Sequence, residues 1–172
     1  MKVTLVMVSS LDGKITKHDN PQIASWTSTE DKKLYAALIK KSSLIVMGAK
    51  TYEAAKQRIK LEPGKLRIVI TRQPKKYRAI PGMLEFTRET PLVLVQRLER
   101  QYKNMLLVGG SEIGALFLKA KLVNELHLTL EPLLFGTGKP LISPLPLDTN
   151  LKLISSKKIN ARGTLSLVYK IL

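Results

Sequence analysis

The sequence predicts an α/β fold in which short strands alternate with helices around a mostly parallel sheet. Three observations support this prediction. Apolar, β-branched runs recur along the 172 residues, segments that begin with helix-starting residues follow several of them, and glycine stands where strands end. The last two predicted strands have no helix between them, so we expect them to form an antiparallel edge.

Eight runs of apolar and β-branched residues predict the strands. They are bounded by glycine, proline or polar residues, which are typical of strand ends. The predicted strands are residues 2–8, 43–48, 66–71, 83–86, 105–108, 125–134, 151–158 and 164–171. Residues 9–22 contain Asp-Gly, Asn and Pro and predict a loop, while residues 160–163 predict the turn of a terminal hairpin.

Helices are predicted in the intervals between the strands. In the first, Ser28 and Asp31 resemble a capping box, and Leu34, Leu38 and Ile39 form an apolar stripe. Proline at the start of the third favours helix initiation. The predicted helices span residues 28–41, 49–60, 91–103 and 111–121.

The charge balance is strongly basic. Lys and Arg number 29 against 13 Asp and Glu, which gives a net charge of +16. Such a surface attracts polyanions, including nucleic acid, phosphorylated cofactors and polycarboxylate substrates. The basic residues are scattered in pairs and few aromatic residues accompany them, so we expect no specific nucleic-acid binding. A basic nucleic-acid-binding module remains the alternative from another class of function.

Composition excludes several other classes. Without cysteine, disulfides, thiolate metal sites and cysteine nucleophiles are impossible. No apolar run approaches the roughly 20 residues of a membrane span, and the N-terminal apolar stretch is too short for a secretory signal. We therefore expect one cytoplasmic domain over residues 1–172, without membrane association. His18 and His127 stand apart from any cluster of acids, so no metal site is predicted.

Two strand–glycine–helix junctions could hold phosphate. Gly48 precedes Lys50 and Thr51, and Gly109-Gly110 precedes Ser111. Glycine lets the backbone approach a phosphate closely, and a helix N-terminus offers free N–H groups. The alternative is that each glycine only serves the tight turn that any α/β protein needs.

Asp31 is the one acid placed for chemistry. It follows the only tryptophan, Trp26, by five residues and lies at the start of a helix that faces the sheet. A carboxylate buried among apolar neighbours can pair with the N–H face of a heterocycle and assist its protonation. The alternative is an acid that only caps the helix.

Taken together, these segments resemble the dihydrofolate reductase superfamily, which includes the reductase domain of riboflavin biosynthesis. The resemblance runs along nearly the whole chain, and the order and spacing of its markers carry it. The markers are Ser10–Ile15, Trp26 with Asp31, Val46–Glu53, Val108–Gly110, Glu125–Pro132 and Phe135–Leu141. The resemblance implies a three-layer α/β fold and NADPH bound across the strand ends.

The resemblance also implies roles for individual residues. Asp31 would be the catalytic, ring-binding carboxylate. The residues implied to bind substrate are Val8, Trp26, Asp31, Tyr35, Lys65 and Thr129. The residues implied to bind the cofactor are Ser10, Gly13, Ile15, Gly48, Ala49, Lys50, Thr51, Thr71, Arg72, Val108, Gly109, Gly110, Ser111, Glu112 and Ile113.

The substrate implied by the resemblance is a small molecule with a pteridine-type ring. Reduction of dihydrofolate to tetrahydrofolate is the first expectation. The alternative is reduction of the ribosylamino-pyrimidine phosphate of riboflavin synthesis, which would share the cofactor site. The riboflavin-type branch commonly pairs through its sheet edge, so the resemblance also implies a homodimer.

Overall fold

A computed structural model describes residues 1–172, which form eight strands and four helices. The strands are β1 (Lys2–Ser10), β2 (Leu44–Gly48), β3 (Leu66–Ile70), β4 (Leu84–Thr87), β5 (Asn104–Leu107), β6 (Glu125–Glu131), β7 (Leu151–Lys158) and β8 (Leu165–Ile171). The helices are α1 (Thr29–Lys41), α2 (Ala49–Ala55), α3 (Pro91–Leu98) and α4 (Ser111–Lys119).

All eight strands belong to one sheet in the order β4-β3-β2-β5-β1-β6-β8-β7. The first six strands in this order run parallel, and β8 and β7 add an antiparallel edge. The predicted α/β fold with an antiparallel C-terminal edge is confirmed. Because the parallel strands all end at the same edge of the sheet, their carboxyl ends bring distant parts of the chain together.

Helices cover both faces of the sheet. On one face α3 and α4 pack against a core that includes Leu5, Val46 and Leu107. On the other face α1 and α2 pack against a second core built from Ile45, Met47 and neighbouring residues. Strand β2 is buried along its whole length because both of its faces are covered. A strand covered on both faces is almost wholly apolar, as β2 is. None of the four helices is long and apolar enough to cross a membrane.

Three predicted elements end earlier than the sequence pattern suggests. The third helix stops at Leu98 rather than residue 103, because the next residues turn so that Asn104 can pair with Lys2. The second helix stops at Ala55 and continues as a 3₁₀ turn, Lys56–Arg58. Strand β6 stops at Glu131 because Pro132, which follows it, has no N–H to donate to a sheet.

The edge strand β7 is exposed along most of its length. Leu151, Leu153 and Ile154 remain 44%, 50% and 56% exposed, respectively. Unpaired, apolar edges favour association with another chain. The homodimer implied by the resemblance stays a prediction that this edge supports.

The loop that follows β1 is fastened to the segment after β6 by Asp12. Its carboxylate accepts hydrogen bonds from Ser10 Oγ (2.6 Å), Gly136 N (2.7 Å) and Phe135 N (3.1 Å). The bond from Ser10 is the main cause of a pKa lowered to about 2, and the two backbone N–H groups add to it. The ionised carboxylate therefore ties the two segments together.

We expect Asp12→Ala to loosen this connection. The amides of Phe135 and Gly136 should exchange with deuterium severalfold faster than in the wild type, because their acceptor is gone. Since folding lowers the pKa of Asp12, its contribution is fully present above about pH 4 and is lost as the pH falls towards 2. Asp19→Ala, in the exposed part of the same loop, is the control. Unchanged exchange in Asp12→Ala would contradict the assignment.

Candidate active site

The two glycine junctions meet at the carboxyl edge of the sheet. Strands β2 and β5 are neighbours, and Gly48 N donates to Gly109 O at 3.0 Å. Gly110 then caps the N-terminus of α4. This juxtaposition follows from the strand order, which places the strand-end glycines side by side.

Each junction leaves no room for a larger residue. A Cβ at Gly48 would stand 2.8 Å from Ile113 Cγ1, and a Cβ at Gly110 would stand 3.1 Å from Thr51 Oγ1. The φ of Gly48 is −84°, which any residue can adopt, so close approach of the two junctions is what requires glycine there. The glycines therefore keep a narrow, backbone-lined surface between α2 and α4.

Basic residues from four segments surround this surface. Lys50 Nζ bonds to Glu112 Oε1 at 2.9 Å and joins the two junctions. That bond is the main cause of the lowered pKa of Glu112, and the charges of Lys139 and Arg72 add to it. Arg88 Nε donates to Arg72 O at 2.5 Å. One carboxylate thus stands among several cations.

The sequence interpretation missed two of these cations. Arg88 directly follows β4, just as Arg72 lies close after β3, and the two strands are parallel neighbours. The rule that parallel strands end at one edge could have found Arg88. Lys139 lies within the marker segment Phe135–Leu141, and no local signal relates it to Glu112.

Asp31 lies at the other side of the same edge, buried to 9% exposure in the first turn of α1. Thr129 on β6 is 7% exposed, and Val8 on β1 is its register partner. Burial raises the pKa of Asp31, and the negative charge of Glu131 adds to this, while a hydrogen bond from Thr129 opposes it. The structure therefore brings Asp31, Thr129 and Val8 to the same edge, and the pKa of the Asp31 carboxyl is raised there.

Aromatic and apolar side chains lie just before α1 and on its first turns. Trp26 meets Phe135 edge to face at 5.2 Å, and its Nε1–H is buried without a hydrogen-bond partner in the protein. Leu34 and Tyr35 remain 39% and 40% exposed. Leu34 was predicted to belong to the buried stripe of α1, but only Leu38 and Ile39 pack on the core. A buried donor beside exposed apolar groups suits a polar ring as ligand.

The remaining predicted residues hold the loops around this edge. Ser10 is buried and bonds to Asp12, and Leu141 N donates to Gly13 O. Ile15 packs against the core below the loop. Thr71 Oγ1 accepts from Gln73 N at 3.2 Å and shapes the turn that carries Arg72. Ala49, Val108 and Ser111 complete the two junctions.

Lys65 lies at the amino end of β3, away from the carboxyl edge of the sheet. It pairs with Glu62 at 3.1 Å. Two residues on, Arg67 is only 5% exposed, and one guanidinium nitrogen, Nη1, is buried without a partner. Burial lowers the pKa of Arg67, and the charge of Glu62 opposes the effect. Arginine in the otherwise apolar run LRIVI was the sequence signal for this site, and it was missed.

The site and the sheet together define a dihydrofolate-reductase-like α/β domain. Solved structures share this fold at low identity. A Thermotoga maritima diaminohydroxyphosphoribosylaminopyrimidine deaminase/5-amino-6-(5-phosphoribosylamino)uracil reductase matches with a TM-score of 0.78 and 16% identity, over 99% of this chain and 56% of that one. Enterococcus faecalis dihydrofolate reductase, in complex with NADP(H), matches with a TM-score of 0.68 and 15% identity, over 99% and 94% of the two chains.

The chain belongs to the RibD C-terminal domain family, whose sequence model matches residues 1–165. A curated relative, the uncharacterized protein YwjB of Bacillus subtilis, is 28% identical over 163 residues, which cover 91% of each chain. The resemblance to the dihydrofolate reductase superfamily is therefore confirmed, and the chain is a reductase-family domain.

Proposed function

We propose that the protein is an NADPH-dependent reductase that delivers a hydride to a pteridine-type ring, with 7,8-dihydrofolate as the first candidate substrate. The observation that carries the proposal is the buried Asp31 carboxyl, which faces Thr129 beside the two glycine junctions. A carboxyl in this setting can hold a heterocycle through its N–H groups and keep a proton available for a ring nitrogen.

The residues at the sheet edge fit a dinucleotide with several phosphates. Backbone N–H groups at Gly110 and Ser111, together with Lys50 and Thr51, would hold the pyrophosphate. Arg72, with Arg88 beside it, would hold the adenosine 2′-phosphate. NADPH supplies the hydride when it is bound, and the protein supplies orientation and the proton-handling carboxyl.

Three features of the chain support ring binding next to that cofactor site. The unpartnered Nε1–H of Trp26 can donate to an acceptor on the ring or to a bridging water. Exposed Tyr35 and Leu34 offer an apolar wall for the rest of the substrate. Thr129 fixes the carboxyl from the neighbouring strand. The ring would thus be held at its polar edge and packed along its faces.

The test is NADPH oxidation by the purified protein, followed through the absorbance of the cofactor. We expect turnover with dihydrofolate and weaker use of NADH, which lacks the 2′-phosphate. Binding of NADPH, measured separately by quenching of the single tryptophan, shows whether the cofactor site is competent. NADPH binding without dihydrofolate turnover would move the proposal to the second substrate, and absence of NADPH binding would overturn it.

The second candidate substrate is a ribosylamino-pyrimidine phosphate, as in riboflavin synthesis. Membership of the RibD C-terminal domain family favours it. Both candidate substrates carry an anionic tail, a carboxylate in folate and a phosphate in the pyrimidine. The buried, partly unpaired guanidinium of Arg67 and the half-buried Lys65 support recognition of such a tail.

Arg67→Met tests this recognition. We expect KM for the acidic substrate to rise about tenfold with little change in kcat, because a bound anion would lose a charged hydrogen bond far from the reacting ring. The folded state should be at least as stable as the wild type, since Met fills the apolar stem space without a buried, incompletely paired charge. Lys60→Met, on the exposed surface nearby, is the control. A variant that loses stability but keeps its KM would show a structural role for Arg67.

A further inference from the structure

The first turn of α1 is capped by a residue from another strand. In a capping box the N-cap hydroxyl accepts from the N3 backbone N–H, and the N3 side chain accepts from the N-cap N–H. Here the first half is present, because Ser28 Oγ accepts from Asp31 N at 3.2 Å. The second half is supplied by Glu131, whose Oε1 accepts from Ser28 N at 2.7 Å. The carboxyl of Asp31 is therefore not used as a cap.

Glu131 is held firmly in this role. It ends β6, two residues after Thr129, and is only 1% exposed. Its second oxygen accepts from Thr164 Oγ1 at 2.8 Å. Asn160 Nδ2 donates to the same hydroxyl at 2.9 Å, and Asn160 Oδ1 accepts from Thr164 N at 3.1 Å. The turn between β7 and β8 thus fixes the carboxylate that caps α1.

We propose that Glu131 is a positioning residue for Asp31, because it takes the helix-capping hydrogen bond that Asp31 would otherwise accept. The negative charge of Glu131 also raises the pKa of the Asp31 carboxyl. Glu131 lies 100 positions away from Asp31 in the chain. Its hydrogen bond to Ser28 N excludes the alternative that Asp31 only caps the helix. The electrostatic part of this inference does not depend on the substrate. Its catalytic part rests on the proposed function.

Few charged groups face the Asp31 carboxyl. Glu131 on β6 raises its pKa, and Lys32 on α1 lowers it. The Tyr35 phenol, one turn along α1, is close enough to interact with the carboxyl. Strand β1 contributes Val8, which is uncharged, and the loop before α1 contributes Trp26. Glu131 is therefore the one acidic group whose removal should change the titration of Asp31.

The test measures that titration directly by NMR of protein labelled with ¹³C at the aspartate carboxyl. The chain has four aspartates, Asp12, Asp19, Asp31 and Asp148, and Asp31→Asn assigns the resonance. In Glu131→Gln the amide oxygen can still accept from Ser28 N and the amide nitrogen can donate to Thr164 Oγ1, so the helix cap is kept while the charge is removed. We expect the pKa of Asp31 to fall in this variant. Glu30→Gln, which removes the neighbouring charge on the same turn, should leave it unchanged.

Activity gives an independent readout. If substrate reduction needs protonated Asp31, the pH profile of kcat should move to lower pH in Glu131→Gln, with about threefold to tenfold lower kcat at pH 7. An unchanged pKa of Asp31 in Glu131→Gln would overturn the inference, whatever the activity. A lowered pKa in a protein that reduces no tested substrate would support the positioning role and overturn the proposed function instead.

Discussion

Asp31→Asn is expected to lower kcat by about 10²- to 10³-fold at neutral pH, which is the range that general acid–base groups contribute. The amide can still contact a ring but cannot hold and release a proton in the same way. NADPH binding should be unchanged, because the proposed NADPH site is built from the two glycine junctions and not from α1. Steady-state kinetics and a separate cofactor titration measure the two effects.

The same variant should be at least as stable as the wild type at pH 7. Folding raises the pKa of Asp31, so the ionised carboxylate opposes folding above that pKa, and the opposition disappears as the pH falls towards the unfolded value near 3.8. Asparagine removes the charge throughout. A melting temperature well below that of the wild type, together with retained turnover, would identify Asp31 as a structural acid.

Gly48→Ala is expected to weaken NADPH binding roughly tenfold to a hundredfold. The added methyl would stand 2.8 Å from Ile113 Cγ1, which is closer than carbon atoms can approach. Relief requires α4 or β2 to move, and such overpacking typically costs about 1–3 kcal/mol. Because the displaced backbone is the proposed phosphate surface, we expect the loss mainly in cofactor affinity.

Gly114→Ala is the matched control. Gly114 lies on α4, next to Ile113. Its added methyl would lie 3.6 Å from the Leu5 methyl groups, an ordinary contact distance. We expect near wild-type cofactor affinity from it. If Gly48→Ala bound NADPH as tightly as the wild type, the close approach of the two junctions would not be needed for cofactor binding.

Much of the fold follows from local pattern. Runs such as SLIVMG and LRIVIT are too apolar to alternate, which indicates strands covered on both faces and hence a parallel sheet between helices. Glycine at the ends of two such strands then indicates where a ligand approaches the edge. Element boundaries were less accurate. The end of α3, for example, is set by where the chain must turn so that β5 can pair with the distant β1.

The sequence predicted residues of the candidate site only where residue type and position along a strand or helix indicate a role. Gly48 lies at a strand end and Asp31 in a first helical turn, so their positions indicated them as candidates. Thr129 was indicated only by the resemblance to the dihydrofolate reductase superfamily. Arg67 interrupts an apolar strand and could have been noticed for that reason, but its position in the strand says nothing about its partners. Whether its guanidinium is paired depends on which side chains the neighbouring elements place around it.

By itself, the sequence determined the order of the elements, the sheet edge that carries the site and the family to which the chain belongs. Only the tertiary structure decided that the Asp31 carboxyl does not cap its own helix. The local spacing of Ser28 and Asp31 predicts a capping box, and nothing within the first helix distinguishes that outcome from the observed one. The competing acceptor, Glu131, comes from β6, and its hydrogen bonds to α1 and to the C-terminal hairpin exist only once those three segments are packed together.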